Sequence, residues 1–516
     1  MRTVLVLLDT LRRNNLRCYN PESRVETPNI DAFAQDSCVF DQHWIGSAPC
    51  MPARRDILCG RLNFLERGWG PVEPFDVTLP SVLKDHGVYT HITTDHCHYL
   101  RCGGEGYLQQ FNTWDYHRGQ EGDPWVSRID EPDNMPETFY GRVRRQYQLN
   151  RTQWPSEEEM PSPQTFTSAC DWLADNGHAE DFFLMVEAFD PHEPFDVPDT
   201  YMDLYGGSEG LDRDYFEIPQ YKRVSEAEVP EAAVDYVQRR YDALVTMCDH
   251  WFGTLVDCLK EQGVYDDTLI MLTTDHGYFL GERDFLGKNF MPLYNELAHL
   301  PLVVHFPGGL RAGERASQIT QNIDVMPTVL DYQGIEVPRE VQGVSLKPLA
   351  TDPAARAQDW ALFGYHAMDV NITDGRYTYM RAPVPSNGPC YEYAAIPTTI
   401  RRYLGVENPE AIEAGRFLPR TAYPVFKVPV EKPGIIDQSD DALKEVADSR
   451  LFDLAVDYAQ EDDLTLRDDP EAKAAENAMV DLLLAAMDAA EAPEEQYERL
   501  GLGEERLAAL EGRGAA

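Results

Sequence analysis

Residues 47–61 read Ser-Ala-Pro-Cys-Met-Pro-Ala-Arg-Arg-Asp-Ile-Leu-Cys-Gly-Arg, and this stretch is more informative than any other in the chain. Its centre, from Cys50 to Arg54, has the pattern Cys-x-Pro-x-Arg, and Leu-Cys-Gly-Arg follows at residues 58–61. The prolines on both sides of Cys50 restrict the local backbone, and Arg54 places a permanent cation near the sulfur. Taken alone, the pattern is compatible with a buried thiol in a proline-bounded turn or with a cysteine that takes part in chemistry.

The composition indicates a large globular protein with a strongly acidic surface. A chain of 516 residues can bury a large core and is expected to hold two domains. It carries 88 acidic against 45 basic residues, which gives a formal net charge of −43. Such a surface repels nucleic acid, acidic membranes and long polyanions, and it favours a small substrate that reaches a locally positive pocket. The alternative explanation is that the acidic residues only keep the surface solvated.

The sequence predicts neither a membrane span nor a secretory signal. No stretch approaches the roughly 18 to 20 apolar residues that a span requires. The apolar run at residues 4–8 ends at Asp9 without a small-residue cleavage site. The ten cysteines are scattered and include no Cys-x-x-Cys pair, which predicts reduced thiols. We therefore expect a cytoplasmic protein that has neither a membrane nor nucleic acid as a partner.

Apolar runs that end in polar residues predict an α/β fold. They are residues 4–8 before Asp9, 88–94 before Asp95, 182–186 before Glu187, and 268–273 before Asp275. Runs of this kind are typical of buried parallel strands, and in open α/β sheets ligands bind at the carboxyl ends of the strands. Apolar residues from Val237 to Leu259 recur at three- and four-residue steps, which predicts a helix that packs on the core.

We predict two domains, residues 1–352 and 360–516, because a short segment rich in Ala, Asp and Pro lies between them. The second part is predicted to be a smaller α+β unit with a helical end from about residue 470. Three stretches with little periodicity, 113–162, 196–229 and 377–424, are predicted to be loops that carry specificity. If arginines of the last stretch line the pocket, they would indicate an anionic substrate; these are Arg381, Arg401 and Arg402.

The strongest candidate site combines Cys50 with polar residues that follow two predicted strands, Asp9, Asp275 and His276. Two carboxylates and an imidazole at strand ends are plausible ligands of a divalent metal with open positions. Each element alone has a structural explanation, since Asp9 could cap a helix and residues 275–277 could form a turn. Together with the cysteine pattern, they predict a metal site with Asp9, Cys50, Asp275 and His276 as ligands.

Several motifs occur in the order found in one known family. They are Asp9-Thr10-Leu11-Arg12, Thr27-Pro28-Asn29-Ile30-Asp31, the Cys50 motif, Asp190-Pro191-His192, Thr-Asp-His-Gly-Tyr-Phe-Leu-Gly at 274–281, Asp-Val-Met-Pro-Thr at 324–328 and Gln-Gly-Val-Ser-Leu at 342–346. On these motifs the chain resembles the type I, formylglycine-dependent sulfatases of the alkaline phosphatase superfamily. The resemblance implies an alkaline-phosphatase-like α/β fold, with a large mixed, mostly parallel sheet flanked by helices and a smaller C-terminal α+β subdomain.

The resemblance also implies a reaction. In this family a maturation enzyme oxidises the cysteine that corresponds to Cys50 to formylglycine, and the hydrate of this aldehyde attacks the sulfur of a sulfate ester beside a divalent metal. The second hydroxyl of the hydrate then loses its proton, and sulfate is released. Arg54 would hold the hydrate, Lys288 would contact the sulfate, and His192 would protonate the leaving oxygen. The structural alternatives are a surface lysine and a structural loop histidine.

His96 and His98 follow the strand predicted at residues 88–94. In an extended chain, alternation directs both side chains to one face. Relatives carry a basic residue and a histidine in this arrangement, so we expect both to contact the sulfate. A second metal site is the alternative, although the sequence indicates no third or fourth ligand for it.

The chain departs from the family pattern at two positions. Many sulfatases have a second acid where this chain has Thr10, and an asparagine where it has His276. This set is similar to that of bacterial relatives that include phosphonate monoester hydrolases. Calcium is the favoured ion. Manganese and magnesium stay open as alternatives, because the ligand set includes an imidazole, which suits transition metals better than calcium.

The sequence thus predicts a sulfuric ester hydrolase for a small sulfate monoester, either a sulfated sugar or an aryl sulfate, which depends on a formylglycine-generating enzyme. Two other hypotheses stay open. One is a phosphonate monoester or phosphodiester hydrolase that uses the same site, and the other is a degenerate relative that binds without catalysis. Because relatives often form dimers or tetramers, a homo-oligomer is a further candidate state.

Overall fold

The chain folds around a nine-stranded mixed sheet and a second, five-stranded sheet. The computed structural model describes residues 1–207, 218–355, 358–400, 409–430 and 442–507. The strands in these ranges are β1 Arg2–Leu8, β2 Cys38–Trp44, β3 Ser47–Ala48, β4 Thr90–Thr94, β5 Thr113–Tyr116, β6 Phe182–Ala188, β7 Lys222–Arg223, β8 Thr268–Thr273, β9 Phe279–Leu280, β10 Phe285–Gly287, β11 His299–Leu300, β12 Leu302–His305, β13 Arg315–Gln321, β14 Ala361–Tyr365, β15 Val370–Thr373, β16 Tyr377–Arg381, β17 Tyr391–Ala394, β18 Glu413–Gly415, β19 Val425–Pro429 and β20 Arg450–Asp453. The α-helices are α1 Pro28–Gln35, α2 Cys50–Cys59, α3 Leu79–Asp85, α4 Glu105–Leu108, α5 Arg145–Arg151, α6 Pro161–Asn176, α7 Asp199–Met202, α8 Glu231–Glu261, α9 Asn295–Ala298, α10 Val325–Gln333, α11 Ala442–Glu445, α12 Pro470–Ala489 and α13 Glu494–Arg499.

The large sheet has the strand order β11-β2-β12-β8-β1-β6-β4-β5, and β13 pairs with β2. Strands β8, β1, β6, β4 and β5 run parallel, whereas β12 is antiparallel to β8 and β2. The four strands predicted from apolar runs are confirmed, and they lie side by side as β8-β1-β6-β4. Their carboxyl ends therefore meet at one edge of the sheet, where polar residues follow.

Strand β1 shows why the apolar runs are continuous. Leu5 and Leu7 belong to the hydrophobic core on one side of the sheet, and Val4, Val6 and Leu8 to the core on the other. Because successive side chains alternate between the faces, a strand covered on both sides must be apolar at every position.

Helix α8 packs beside α6 on one face of the large sheet. The predicted helix from Val237 to Leu259 lies within α8, and both of these end residues are buried. None of the described helices combines the length and the apolar character that crossing a bilayer requires.

The prediction that all cysteines are reduced is wrong for two of them. Cys170 of α6 and Cys258 of α8 form a disulfide, with Cα atoms 5.8 Å apart. They are 88 residues apart in sequence, and only the packing of α6 against α8 brings them together. The other cysteines have free thiols.

The five-stranded sheet has the order β20-β16-β15-β14-β3. Its edge strand β3 lies directly before Cys50 and pairs in parallel with β14, so the segment that leads to Cys50 belongs to the small sheet. Helix α12 covers this sheet through an apolar stripe that includes Met479, Leu483 and Met487. The domain boundaries at 1–352 and 360–516 stay a prediction.

The predicted loops are more regular than expected. The stretch 113–162 contains β5 and α5, and 377–424 begins with β16. Arg381 of β16 donates hydrogen bonds to the main-chain oxygens of Leu500 and Gly501, so it holds the C-terminal segment in place. Arg401 and Arg402 lie outside the described residues.

Candidate active site

Helix α2 begins at Cys50 and carries Arg54 one turn later. Residues four apart lie on the same face of a helix, so both side chains point to the same place. Arg54 Nη1 also donates to the main-chain oxygen of Cys50, 3.2 Å away. The helix ends at Gly60, which has φ +60°, and a Cβ there would lie 2.8 Å from Val341 Cγ1. The trailing glycine of the motif is therefore required by backbone conformation and by packing.

The guanidinium of Arg54 joins three carboxylates at the ends of adjacent strands. Nη2 donates to Asp9 Oδ2 at 2.8 Å, Nη1 donates to Asp275 Oδ2 at 2.5 Å, and Nε donates to Glu187 Oε1. All four side chains are fully buried. Burial alone would raise the pKa of Asp9, but the charges of Arg54 and Lys288 outweigh it and hold that pKa below its usual value.

The predicted metal ligands come together at this point. One ligand atom each from Asp9, Cys50, Asp275 and His276 lies within 4.8 Å of the others, and all four residues are buried. His276 Nδ1–H donates to the oxygen of Gly277 at 2.8 Å, which leaves Nε2 facing Cys50 Sγ at 3.0 Å. A buried set of two carboxylates and an imidazole nitrogen with a free lone pair fits a divalent ion.

Thr10 stands at the position of the family's second acid, and it binds the two carboxylates of the site through hydrogen bonds. Its hydroxyl donates to Asp9 Oδ1 at 2.6 Å, and its main-chain N–H donates to Asp275 Oδ1 at 3.0 Å. Thr10 has φ +68°, which lies in the left-handed region that is rare for a threonine. These contacts orient both carboxylates.

Lys288 is buried beside Cys50, so it is not a surface lysine. Its Nζ lies 3.8 Å from Cys50 Sγ and donates to the Thr10 hydroxyl at 3.1 Å. Burial alone would lower the pKa of Lys288, but nearby acidic groups raise it, so the ammonium stays charged. Burial also raises the pKa of the Cys50 thiol well above its usual value.

His192 lies beside this cluster and is connected to it through Glu193. His192 Nδ1 is 2.5 Å from the main-chain oxygen of Glu193 and 3.3 Å from its carboxylate. The same carboxylate lies 3.9 Å from Lys288 Nζ. Glu193 is not among the predicted site residues, and its position directly after His192 is the one signal in the sequence that could have indicated it.

His96 and His98 are close to each other, with ring centroids 5.0 Å apart. His98 lies in the short 3₁₀ helix Cys97–Leu100 and His96 directly precedes it, so strand alternation is not the reason for their proximity. His96 Nδ1 lies 3.9 Å from Asp9 Oδ2, and His98 Nε2 lies 3.8 Å from Glu121 Oε2.

Cys97, His98 and Glu121 form a second group whose ligand atoms lie within 4.8 Å of one another. The sequence did not show this group. Glu121 also pairs with Arg144 Nη1 at 2.5 Å, and Arg101 Nη2 lies 3.8 Å away. These two cations compete with any metal ion for the carboxylate.

Glu187 is a further residue of the site that is not among the predicted site residues. It was expected only as the polar end of a strand, yet its carboxylate binds Arg54 and accepts a hydrogen bond from the Tyr99 hydroxyl at 2.9 Å. Glu187 thereby holds the guanidinium at Nε, while Nη1 and Nη2 bind Asp275 and Asp9.

Comparison with known proteins identifies the family. The model that describes the sulfatase family matches residues 2–335, well over half of the chain. The chain belongs to the sulfatase family. An arylsulfatase of Clostridium perfringens is 24% identical over 399 residues, which cover 70% of this chain and 81% of that protein. An N-acetylglucosamine-6-O-sulfatase of Bacteroides thetaiotaomicron is 39% identical over 128 residues, but these cover only 25% of this sulfatase and 23% of the relative.

A solved structure confirms the predicted fold. The crystal structure of the phosphonate monoester hydrolase of Agrobacterium radiobacter superimposes with a TM-score of 0.66, covering 95% of this sulfatase and 96% of that chain at 18% identity. At this identity the similarity concerns the fold alone. The prediction of a sulfuric ester hydrolase is confirmed by the family and by the named sulfatases among the relatives.

Proposed function

We propose that this sulfatase hydrolyses a small organic sulfate monoester, a sulfated sugar or an aryl sulfate, with residue 50 as the nucleophile after conversion to formylglycine. The observation that carries the proposal is the convergence of Cys50, Lys288 and three potential metal ligands in one buried cluster. The cluster lies at the carboxyl ends of parallel strands, where α/β proteins bind their ligands.

The state of Cys50 supports its role as a precursor. Burial raises the pKa of its thiol well above the usual value, so the thiol stays protonated in spite of Lys288. A protonated thiol is a weak nucleophile. The aldehyde that oxidation of Cys50 would form adds water, and the resulting hydrate would supply a hydroxyl nucleophile at the same position.

The buried carboxylates support a divalent ion. Asp9, Asp275 and Glu187 carry three negative charges, against which Arg54 and Lys288 provide only two positive charges. A divalent ion held by Asp9, Asp275, His276 and residue 50 would lower the pKa of a nucleophilic hydroxyl and neutralise charge on the transferring group. Following the sequence analysis, we propose calcium, with manganese or magnesium as alternatives.

The remaining side chains have separate tasks in this proposal. Arg54 orients Asp9 and Asp275 and holds the start of α2 through the oxygen of Cys50. Lys288 supplies a fixed positive charge for a sulfate oxygen next to residue 50. His192 would give its Nε2 proton to the leaving oxygen, because its Nδ1 is already engaged by Glu193. His96 and His98 would contact the sulfate from the β4 side.

A second candidate function is phosphonate monoester or phosphodiester hydrolysis at the same site. Thr10 favours it, because this residue replaces the second acid that many sulfatases have. The structural similarity to a phosphonate monoester hydrolase makes the fold compatible with this activity.

Turnover of three probes distinguishes the two functions. The matured protein would be supplied with 4-nitrophenyl sulfate, 4-nitrophenyl phenylphosphonate and bis(4-nitrophenyl) phosphate, which share one chromophore. We expect the highest kcat/KM with the sulfate. A phosphonate or diester that is the better substrate would replace the sulfatase assignment, and a lack of turnover of all three would favour a binding protein.

The substrate class and the location are also proposals. A strongly acidic surface opposes long sulfated polymers, which favours a sulfated mono- or disaccharide. The cytoplasmic location stays a prediction. It is no longer supported by the expectation that all cysteines are reduced, because Cys170 and Cys258 form a disulfide. Maturation by a formylglycine-generating enzyme in the same compartment is a requirement of the proposal.

A further inference from the structure

Glu193 is a buried acid at the site to which no role has been assigned. Its side chain is 3% exposed, and its Oε2 accepts no hydrogen bond from any described residue. Carboxylate oxygens are seldom buried without a donor, because the loss of hydration is costly. A function at the reaction centre can account for such an atom when structural hydrogen bonds do not.

The geometry connects Glu193 to His192 in two ways. Its main-chain oxygen accepts the Nδ1–H of His192, and its carboxylate lies 3.3 Å from the same nitrogen. The hydrogen bond fixes the neutral imidazole as the Nδ1–H tautomer, so Nε2 is the nitrogen that can bind a further proton. The carboxylate is placed to favour the doubly protonated imidazolium.

The surroundings of His192 disfavour its imidazolium form, so this form needs a nearby negative charge. Burial, together with the positive charge of Lys288, lowers the pKa of His192 well below its usual value. Burial raises the pKa of Glu193 to about 7, while Lys288 opposes this effect. Other charged or titratable groups that act on the pair are His276, Glu121, Arg142 and Tyr278.

We propose that Glu193 is a positioning residue that orients His192 and stabilises its imidazolium form for protonation of the leaving oxygen. The inference rests on the sulfatase reaction proposed above. As the bond between sulfur and the leaving oxygen breaks, its electron pair goes to that oxygen, which takes the Nε2 proton of His192. The hydroxyl of residue 50 reacts as its anion, after its proton has passed to solvent, and its oxygen forms the new bond to sulfur. His192 becomes a neutral imidazole that keeps its Nδ1 proton.

The test compares leaving groups in the Glu193→Gln variant, which keeps the main-chain oxygen and the size of the side chain. The substrates are substituted phenyl sulfates from 4-nitrophenyl, which leaves without a proton, to 4-methoxyphenyl, which needs one. We expect kcat/KM to fall about 10- to 100-fold for 4-methoxyphenyl sulfate and less than about threefold for 4-nitrophenyl sulfate. The alkaline limb of the pH profile should move about one unit lower, because the imidazolium loses its proton more readily.

Two further variants serve as controls. Glu73→Gln removes an equally buried acid away from His192, whose pKa is also raised to about 7 by burial and whose carboxylate accepts hydrogen bonds from the main-chain N–H groups of residues 395 and 396. It should leave the leaving-group dependence unchanged. Glu193→Asp keeps the charge and should restore part of the lost rate for the poor leaving groups. If Glu193→Gln does not fold, a small loss in Glu193→Asp that is confined to poor leaving groups would still support the assignment.

Other outcomes would overturn it. An equal loss for all phenyl sulfates, or an unmoved pH profile, would mean that Glu193 only holds the loop. A rise in KM that is the same for every leaving group would mean that Glu193 positions Lys288 for substrate binding instead of supporting His192. If the wild type hydrolyses none of the sulfates, the proposed function itself fails.

Discussion

Replacing Arg54 with alanine should destabilise the protein by about 3 to 5 kcal/mol. The Nη2–Oδ2 distance to Asp9 is 2.8 Å, which corresponds to about 6 kcal/mol of attraction at an effective dielectric constant of about 20. The desolvation of Arg54 offsets part of this attraction. In proteins generally, breaking one buried ion pair costs about 3 to 5 kcal/mol, which is less than the attraction alone. Because Asp275 and Glu187 bind the same guanidinium, all three buried carboxylates lose this cation in the variant.

The assay is urea unfolding in a chelator and then in millimolar calcium, magnesium or manganese chloride. Arg55→Ala is the matched control, because Arg55 is equally buried in the same helix and its hydrogen bonds to described residues go to main-chain oxygens of residues 68, 70 and 71, away from Asp9 and Asp275. Both variants should be destabilised in the chelator. A divalent ion should recover more stability in Arg54→Ala, since that variant removes the guanidinium that binds Asp9 and Asp275, the two carboxylates that would hold the ion.

Two results would refute this reasoning. One is an Arg54→Ala variant within about 1 kcal/mol of the wild type, which would mean that the carboxylates are protonated or solvated. The other is an equal recovery of both variants by divalent ions, which would mean that the ions bind elsewhere.

Three further predictions concern Lys288, the disulfide and the surface charge. Lys288→Ala should lower kcat/KM for an aryl sulfate about 100-fold, whereas Lys347→Ala, which removes a half-exposed lysine paired with Asp331, should have no effect in the same steady-state assay. Reduction of Cys170–Cys258 should cost about 2 to 4 kcal/mol in urea unfolding without changing turnover, and a Cys170→Ser variant with the same stability as the wild type would contradict this. With a net charge of −43, raising NaCl from about 20 to about 500 mM should raise the melting temperature by several degrees, because salt screens the repulsion between carboxylates; a flat or falling melting temperature in scanning fluorimetry would contradict this.

The central strands could be predicted from the sequence because a strand buried on both faces leaves a continuous apolar run. The same runs placed Asp9 and Asp275 correctly, since residues that follow adjacent parallel strands meet at one sheet edge. Cys50 and Arg54 could be selected together from the Cys-x-Pro-x-Arg pattern, whereas the helix that places them one turn apart was not predicted.

Contacts between distant segments could not be predicted in the same way. The Cys170–Cys258 disulfide depends on how α6 packs against α8. Glu121 reaches His98 from a loop beyond β5, and Glu187 faces Arg54 rather than a ligand. No periodicity in the sequence indicates these three contacts, because each of them depends on tertiary packing.

The role assigned to Cys50 is tested most directly by the rate of sulfate ester hydrolysis in the Cys50→Ala variant, produced beside the wild type in a host that forms formylglycine. We predict no turnover above the uncatalysed rate, with an unchanged circular dichroism spectrum and urea midpoint, because only the reactive group is removed. A folded Cys50→Ala variant that hydrolyses the ester at the wild-type rate would contradict the assignment of residue 50 as the nucleophile.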